Sequence, residues 1–237
     1  MTEQPMEPAE AFARLGSIKL SDTDLEGVLK QVAELARHTL EGADEVSVTL
    51  LRGGDAHTAA STGDLAIKLD GWQYEHGQGP CIDAAVSAAP LSIPDMQAED
   101  RWPDWAAHAA ELGAGSSLSI GLPIQEAVTG TLNVYAGKGG AFDESAIEVA
   151  QRFAAYAAVA VANAHLYDST ATLARQMREA MENRAVIEQA KGIIMGERRC
   201  SPTEAFSILA KLSQDTNRKV RDVAAALVER AAQTRRP

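Results

Sequence analysis

Residues 187–195 read Ile-Glu-Gln-Ala-Lys-Gly-Ile-Ile-Met, and this run closes an unusually long helix-permitting segment. From Glu144 neither proline nor glycine occurs before Gly192, whereas an average globular helix has about 11–12 residues. Something has to support that length. Val159, Leu166, Leu173, Ala180, Ile187 and Ile194 recur every seven residues, and Asn163, Thr170, Met177 and Arg184 follow four residues later in each heptad. The spacing predicts a connecting helix over 144–190 with a coiled-coil seam, either paired with a second copy as a homodimeric stalk or packed alone on the preceding domain. Polar Asn163 and Thr170 weaken such a seam while helping to set its register.

Downstream, Ser201-Pro202-Thr203-Glu204 combines a hydroxyl N-cap, proline in the first turn and a capping-box glutamate, which together start a helix. In the last segment Val220, Val223, Ala224 and Leu227 fall at i, i+3, i+4 and i+7, giving one apolar face with Arg218 and Arg221 on other sides. Three helices with apolar faces predict a small all-α bundle over 174–232, with a tail at 233–237. Residues 174–237 carry 13 Lys+Arg and 8 Asp+Glu, a net of +5, while residues 1–173 carry 9 and 25, a net of −16. A basic module therefore follows an acidic one, a sign asymmetry that the whole-chain charge of −11 conceals.

Upstream, residues 1–19 read as a flexible start. Ser21-Asp22-Thr23-Asp24 supplies caps for an amphipathic helix reaching about Leu40, with Leu25, Val28, Leu29, Val32, Leu35 and Ala36 on its apolar face. Glu45–Arg52 alternates apolar and polar residues and pairs with His57–Ser61 as a hairpin. Helices over 65–75, 81–86 and 101–112 and strands over 91–93, 116–123 and 128–136 complete an α+β domain of mostly antiparallel strands. No stretch approaches the ~18 apolar residues of a membrane span, and the acidic N-terminus lacks a signal peptide's basic region, so a cytoplasmic protein without membrane contact is expected. Cys81 and Cys200 are far apart and outside any CxxC pattern, so neither a disulfide nor a metal site is expected.

Within 20–165, Gly79-Pro80-Cys81-x-Asp83-Ala84, then Arg101-Trp102-Pro103, then Gly130-x-Leu132-Asn133-x-Tyr135 resembles a GAF domain of the kind found in GAF and ANTAR regulators. The resemblance implies a central antiparallel sheet, flanking helices and a pocket for a small-molecule effector on one face, without specifying the effector. Trp72, Cys81 and Trp102 are candidate ligand contacts, with Tyr74 and Trp105 as further aromatics. The opposing reading is that the aromatics pack helices on the sheet and that Cys81, rather than forming a redox or metal pair with His76, is a buried thiol. Walker, HExxH and GxSxG patterns are absent from the sequence, so no catalytic residue is assigned and no enzyme is expected.

Residues 187–195, continued by Ser201-x-x-Glu204-Ala205-Phe206-x-x-Leu209 and Ser213-x-x-x-Asn217-x-Lys219-Val220-Arg221-Asp222-Val223-Ala224, resemble an ANTAR domain. That resemblance implies binding of paired RNA hairpins with small loops, favouring an antiterminator over a terminator in nascent transcripts. Unpaired loop bases are read by side-chain hydrogen bonds while Lys and Arg hold phosphates, and glycine permits close backbone approach. Gln189, Lys191, Gly192, Arg198, Ser201, Arg218, Lys219 and Arg221 are the candidate RNA contacts. Gly192 has a competing role in tight helix packing. Two positions depart from the family pattern: Arg199 stands where glycine usually ends the first helix, straining or reshaping the turn, and Glu197 stands where a basic residue is common. A DNA-binding three-helix protein and a protein-interaction bundle are the alternative readings.

Overall fold

The computed structural model describes residues 6–52, 55–87, 89–125 and 128–233. The chain divides into two compact units, Met1–Asp168 and Ser169–Pro237. In the first, strands β1 (Glu45–Arg52), β2 (Asp55–Ser61), β3 (Leu91–Ile93), β4 (Ser116–Gln125) and β5 (Val128–Ala136) form one sheet in the order β2-β1-β5-β4-β3. Every neighbouring pair is antiparallel, as expected of the GAF-like sheet.

Because side chains alternate across a strand, the sheet has two chemically different faces. Val46, Val48, Leu118, Ile120, Leu122, Leu132 and Val134 point to one, and there they meet α1 (Pro8–Gly16), α2 (Leu25–Thr39) and the start of α6 (Glu144–Arg198) in a single apolar core. The α6 contribution is dominated by Ala150, Ala154, Ala157, Ala158 and Ala164 around Phe153. Small side chains let the helix lie close, and they occupy only one of its faces. Val159 and Leu166, on the predicted seam, remain exposed on the other.

Helix α1 lies in the segment expected to be a flexible start. Pro8 begins it, Ala11 and Leu15 are buried in the main core, and the Met6 amide donates to the His38 carbonyl at 2.7 Å. Two apolar anchors one turn apart, with proline placed where no helical N–H is needed, order a segment whose polar opening gave no sign of it.

In the second unit α6 runs on from the connecting segment to Arg198, where Ala190 and Ile194 belong to the bundle core with Ala205 and Leu209 of α7 (Pro202–Thr216) and Val223 and Ala224 of α8 (Val220–Gln233). The capping box at the start of α7 is formed: the Glu204 amide donates to Ser201 Oγ and the Ser201 amide donates to Glu204 Oε2. Where α6 ends, Arg199 takes a left-handed φ of 52°, a conformation that costs an L side chain about 1–2 kcal/mol. The expected strain at that departure from glycine is therefore present. Arg199→Gly should stabilise the bundle by about 0.5–1 kcal/mol, the relief being partly offset by glycine's extra freedom in the unfolded chain; chemical denaturation monitored by circular dichroism checks this, and an unchanged or lowered midpoint would show that the turn is not strained.

Candidate functional site

The sheet's second face is lined by polar side chains that are nonetheless buried: Ser47 and Thr49 of β1, Ser117 and Ser119 of β4, and Thr131, Asn133 and Tyr135 of β5. Three helices, α3 (Asp64–His76), α4 (Pro80–Ser87) and α5 (Pro103–Glu111), cover it, and their apolar residues Ala66, Leu69, Trp105, Ala106 and Ala109 form a smaller core with Ile93 and Met96. Buried polar groups must find partners, and here they find one another.

Asp70 of α3 is at the centre. Its Oδ1 accepts from the Tyr135 hydroxyl at 2.6 Å and the Asn133 amide at 3.3 Å, and its Oδ2 accepts from Thr58 Oγ1 at 2.9 Å. Asn133 Nδ2 also lies within 3.0 Å of Thr49 Oγ1, 3.2 Å of Cys81 Sγ and 3.3 Å of Ser47 Oγ, while its Oδ1 accepts from Ser119. An amide with two hydrogens cannot serve four acceptors at once, so these bonds are shared. The Tyr74 hydroxyl lies within hydrogen-bonding distance of both Thr49 and Thr58, and Thr131 Oγ1 donates to the Cys81 carbonyl. Among the described residues Ser117 Oγ is buried with no hydrogen-bond partner.

Burial disfavours the charged form of Asp70, and although hydrogen bonds from Ser47, Tyr135, Thr58 and Tyr74 pull the other way, its pKa rises from 3.8 to about 6. Desolvation and the nearby Asp70 push the Cys81 thiol up to about 12. Cys81 is thus a neutral, fully buried thiol at physiological pH, which matches the buried-thiol reading and disfavours nucleophilic chemistry at this sulfur. The other two candidate ligand contacts stand apart from the network. Trp72 is half-buried and stacks on His76 with ring centroids 3.8 Å apart, and Trp102 donates to Asp83 Oδ2 at 3.1 Å with the Arg101 guanidinium over its ring. Among the described residues no cluster of three or more His, Cys, Asp or Glu is placed to hold a metal ion.

Gly79 is the hinge of this arrangement. Its φ is +142°, and a Cβ there would fall 2.2 Å from Gln73 Oε1, the atom that accepts from the Cys81 amide at 2.8 Å. Gly79→Ala should cost about 2 kcal/mol through backbone strain and loss of that buried bond; thermal melts would measure it, and a melt indistinguishable from wild type would remove Gly79 from the account.

In the second unit the candidate RNA contacts do not form one patch. Gln189 and Gly192 line a groove of about 740 Å³ between α6 and α8, with Gly196, Leu227 and Ala231 among its other walls. A Cβ on Gly192 would meet no atom within 4 Å, so tight packing inside the chain does not explain this glycine. Lys191 lies roughly 100° further round the helix; its side chain is 17% exposed and pairs with Glu188 at 2.9 Å. Arg198 and Ser201 stand at the α6–α7 turn, where the Ser201 hydroxyl is engaged with Glu204. Arg218, Lys219 and Arg221 stand at the α7–α8 turn; Arg218 donates to the Asp222 carbonyl and Arg221 pairs with Asp222.

Residues 22–162 match the GAF domain family and residues 175–228 match the ANTAR domain family. The chain is a GAF and ANTAR domain protein. Solved structures similar to it cover its GAF domain. The phycoerythrobilin-bound GAF domain from a cyanobacterial phytochrome has a TM-score of 0.53 at 16% identity, covering 68% of this chain and 97% of that one. The GAF domain of a phosphoenolpyruvate-protein phosphotransferase from Coxiella burnetii gives 0.52 at 19% identity, covering 69% and 98%. Free methionine-R-sulfoxide reductase from Neisseria meningitidis gives 0.51 at 16%, covering 69% and 91%. At these identities the likeness establishes the fold. No curated protein matches the sequence. A GAF domain is a sensor module and an ANTAR domain an RNA-binding antitermination module, although some structural neighbours of the GAF domain are enzymes. Among the described residues of this GAF and ANTAR domain protein no helix is long and apolar enough to cross a membrane.

Proposed function

We propose that this protein is a transcription antitermination regulator whose ANTAR module binds paired RNA hairpins in nascent transcripts under the control of its GAF domain. The observation that carries this reading is the ANTAR match over the end of α6, α7 and α8, a basic three-helix bundle behind an acidic domain. The open α6–α8 groove supports Gln189 and Gly192 as the positions nearest to loop bases, because glycine leaves the helix backbone accessible. Arg198, Arg218, Lys219 and Arg221 serve the phosphates, with Ser201 assisting at the α6–α7 turn. Lys191 joins them by exchanging Glu188, the exposed partner of its ion pair, for a phosphate.

The effector is a small polar molecule held over the hydroxyl-lined face of the GAF sheet. Ser117 Oγ, buried with no hydrogen-bond partner among the described residues, supports this, since a polar ligand satisfies there what an apolar one would strand. The acting species is a homodimer in the cytoplasm. Fluorescence anisotropy with a paired-hairpin RNA, the same RNA with altered loop bases, and duplex DNA tests the RNA assignment across a salt series. Loop-dependent binding that is lost in Arg218→Glu is expected; equal binding to RNA and DNA would replace the proposal with the DNA-binding reading.

A further inference from the structure

Backbone with positive φ is taken in this chain by residues that tolerate it, with one exception. Gly42, Gly77, Gly79, Gly113 and Gly140 have positive φ, and so does Asn217 at the end of α7, a residue type that visits the left-handed region more readily than most. Arg199, with a φ of 52°, is the exception among the described residues. The turn around it is fixed on both sides. The Arg199 amide donates to the Met195 carbonyl at 2.9 Å, Cys200 packs against the bundle core, and Ser201 is held in the capping box of α7. Its neighbours therefore impose the conformation at a position where glycine or asparagine would relieve the strain.

Among the described residues no hydrogen bond or ion pair engages the Arg199 side chain, which is exposed. Glu204, the acidic residue that opens α7, is committed to Ser201. Strain that contacts within the chain do not offset is found at binding sites, where the partner offsets it. An exposed guanidinium on a fixed turn of a basic bundle presents a planar fork of donors suited to a phosphate. We infer that Arg199 grips a backbone phosphate of the hairpin RNA, so that the α6–α7 turn gives up stability for affinity. The inference rests on the RNA reading and adds to it a phosphate contact marked by its backbone.

The test uses the full-length protein and a paired-hairpin RNA, with affinity read by fluorescence anisotropy across a salt series and stability by urea denaturation of the same samples. Arg199→Gly should raise the denaturation midpoint while weakening RNA binding by about fivefold. The slope of log affinity against log salt should become shallower by about 0.7–1, the contribution of one phosphate. Arg199→Lys keeps both charge and strain, so the slope and the midpoint should stay at their wild-type values. If Arg199→Gly binds with wild-type affinity and slope, the inference is overturned while loop-dependent binding by the wild type leaves the RNA reading standing. Weaker binding with an unchanged slope also overturns it, because the loss then comes from the shape of the turn, and a midpoint that does not rise removes the strain on which it stands. A wild type without loop-dependent binding overturns the RNA reading and this inference together.

Discussion

Gly192→Trp should weaken hairpin RNA binding by on the order of a hundredfold, about 2.7 kcal/mol, without unfolding the bundle. The position combines two facts, as Gly71 and Gly196 also do. Glycine inside a helix costs about 1 kcal/mol relative to alanine, and here no neighbour within the chain requires the missing side chain, because a Cβ would point into open space beside the α6–α8 groove. On the proposed function, that space is where the RNA approaches the helix backbone. Gly192→Ala should accordingly raise the stability of the bundle by up to about 1 kcal/mol while reducing affinity less than tryptophan does. Such an opposition between stability and binding separates a contact surface from a structural glycine. Thermal melts and anisotropy on the same samples read both quantities; tryptophan and alanine variants that bind RNA as wild type does would move the interface to the basic α7–α8 turn.

Asp70 should make the GAF domain less stable as pH rises. Its folded pKa of about 6 lies above the ordinary 3.8, so the folded state holds the proton more tightly than the unfolded chain does. Stabilisation from this group is complete below about pH 4 and is lost as pH rises through 6. The difference of roughly two units corresponds to about 3 kcal/mol between pH 4 and pH 7. Asp70→Asn removes the titration yet keeps an acceptor for the Tyr135 hydroxyl and the Asn133 amide. Relative to the variant, the wild type should lose about 3 kcal/mol across that window; urea denaturation at a series of pH values measures both. Parallel pH profiles would mean that the carboxyl is solvated in the folded protein. Asp70→Leu, which strands the Tyr135 hydroxyl, should destabilise at every pH.

Sequence reasoning reached different depths in the two units for physical reasons. The helix ends of the bundle are local: Ser201, Pro202 and Glu204 lie within one turn, so the cap can be read from residues in a row and is formed as expected. The strands were legible from alternation, but alternation has two meanings. The polar residues of an alternating strand can face either solvent or a covering layer; in the fold Ser47, Thr49, Ser117 and Ser119 are buried beneath α3, α4 and α5. Asp70 gave no signal at all, since an acidic residue in a helix reads as surface. Its role depends on Tyr135 and Asn133, more than sixty residues away in the chain, returning on β5 to meet it. Those two residues stood within the GAF resemblance without an assigned role. Trp72 and Trp102, candidate ligand contacts with packing as the opposing reading, lie partly buried against the smaller core. Gly192 was legible as either a packing or an approach position, and the empty space around it speaks against packing within the chain.

A single measurement bears most directly on the claim that this protein controls termination through RNA. Single-round transcription is run with purified full-length protein across a template whose paired hairpins overlap an intrinsic terminator. A second template has altered loop bases but the same terminator stem. Read-through that rises with protein on the first template and stays at background on the second is the predicted result. Read-through unaffected on both, or raised equally on both, would contradict it.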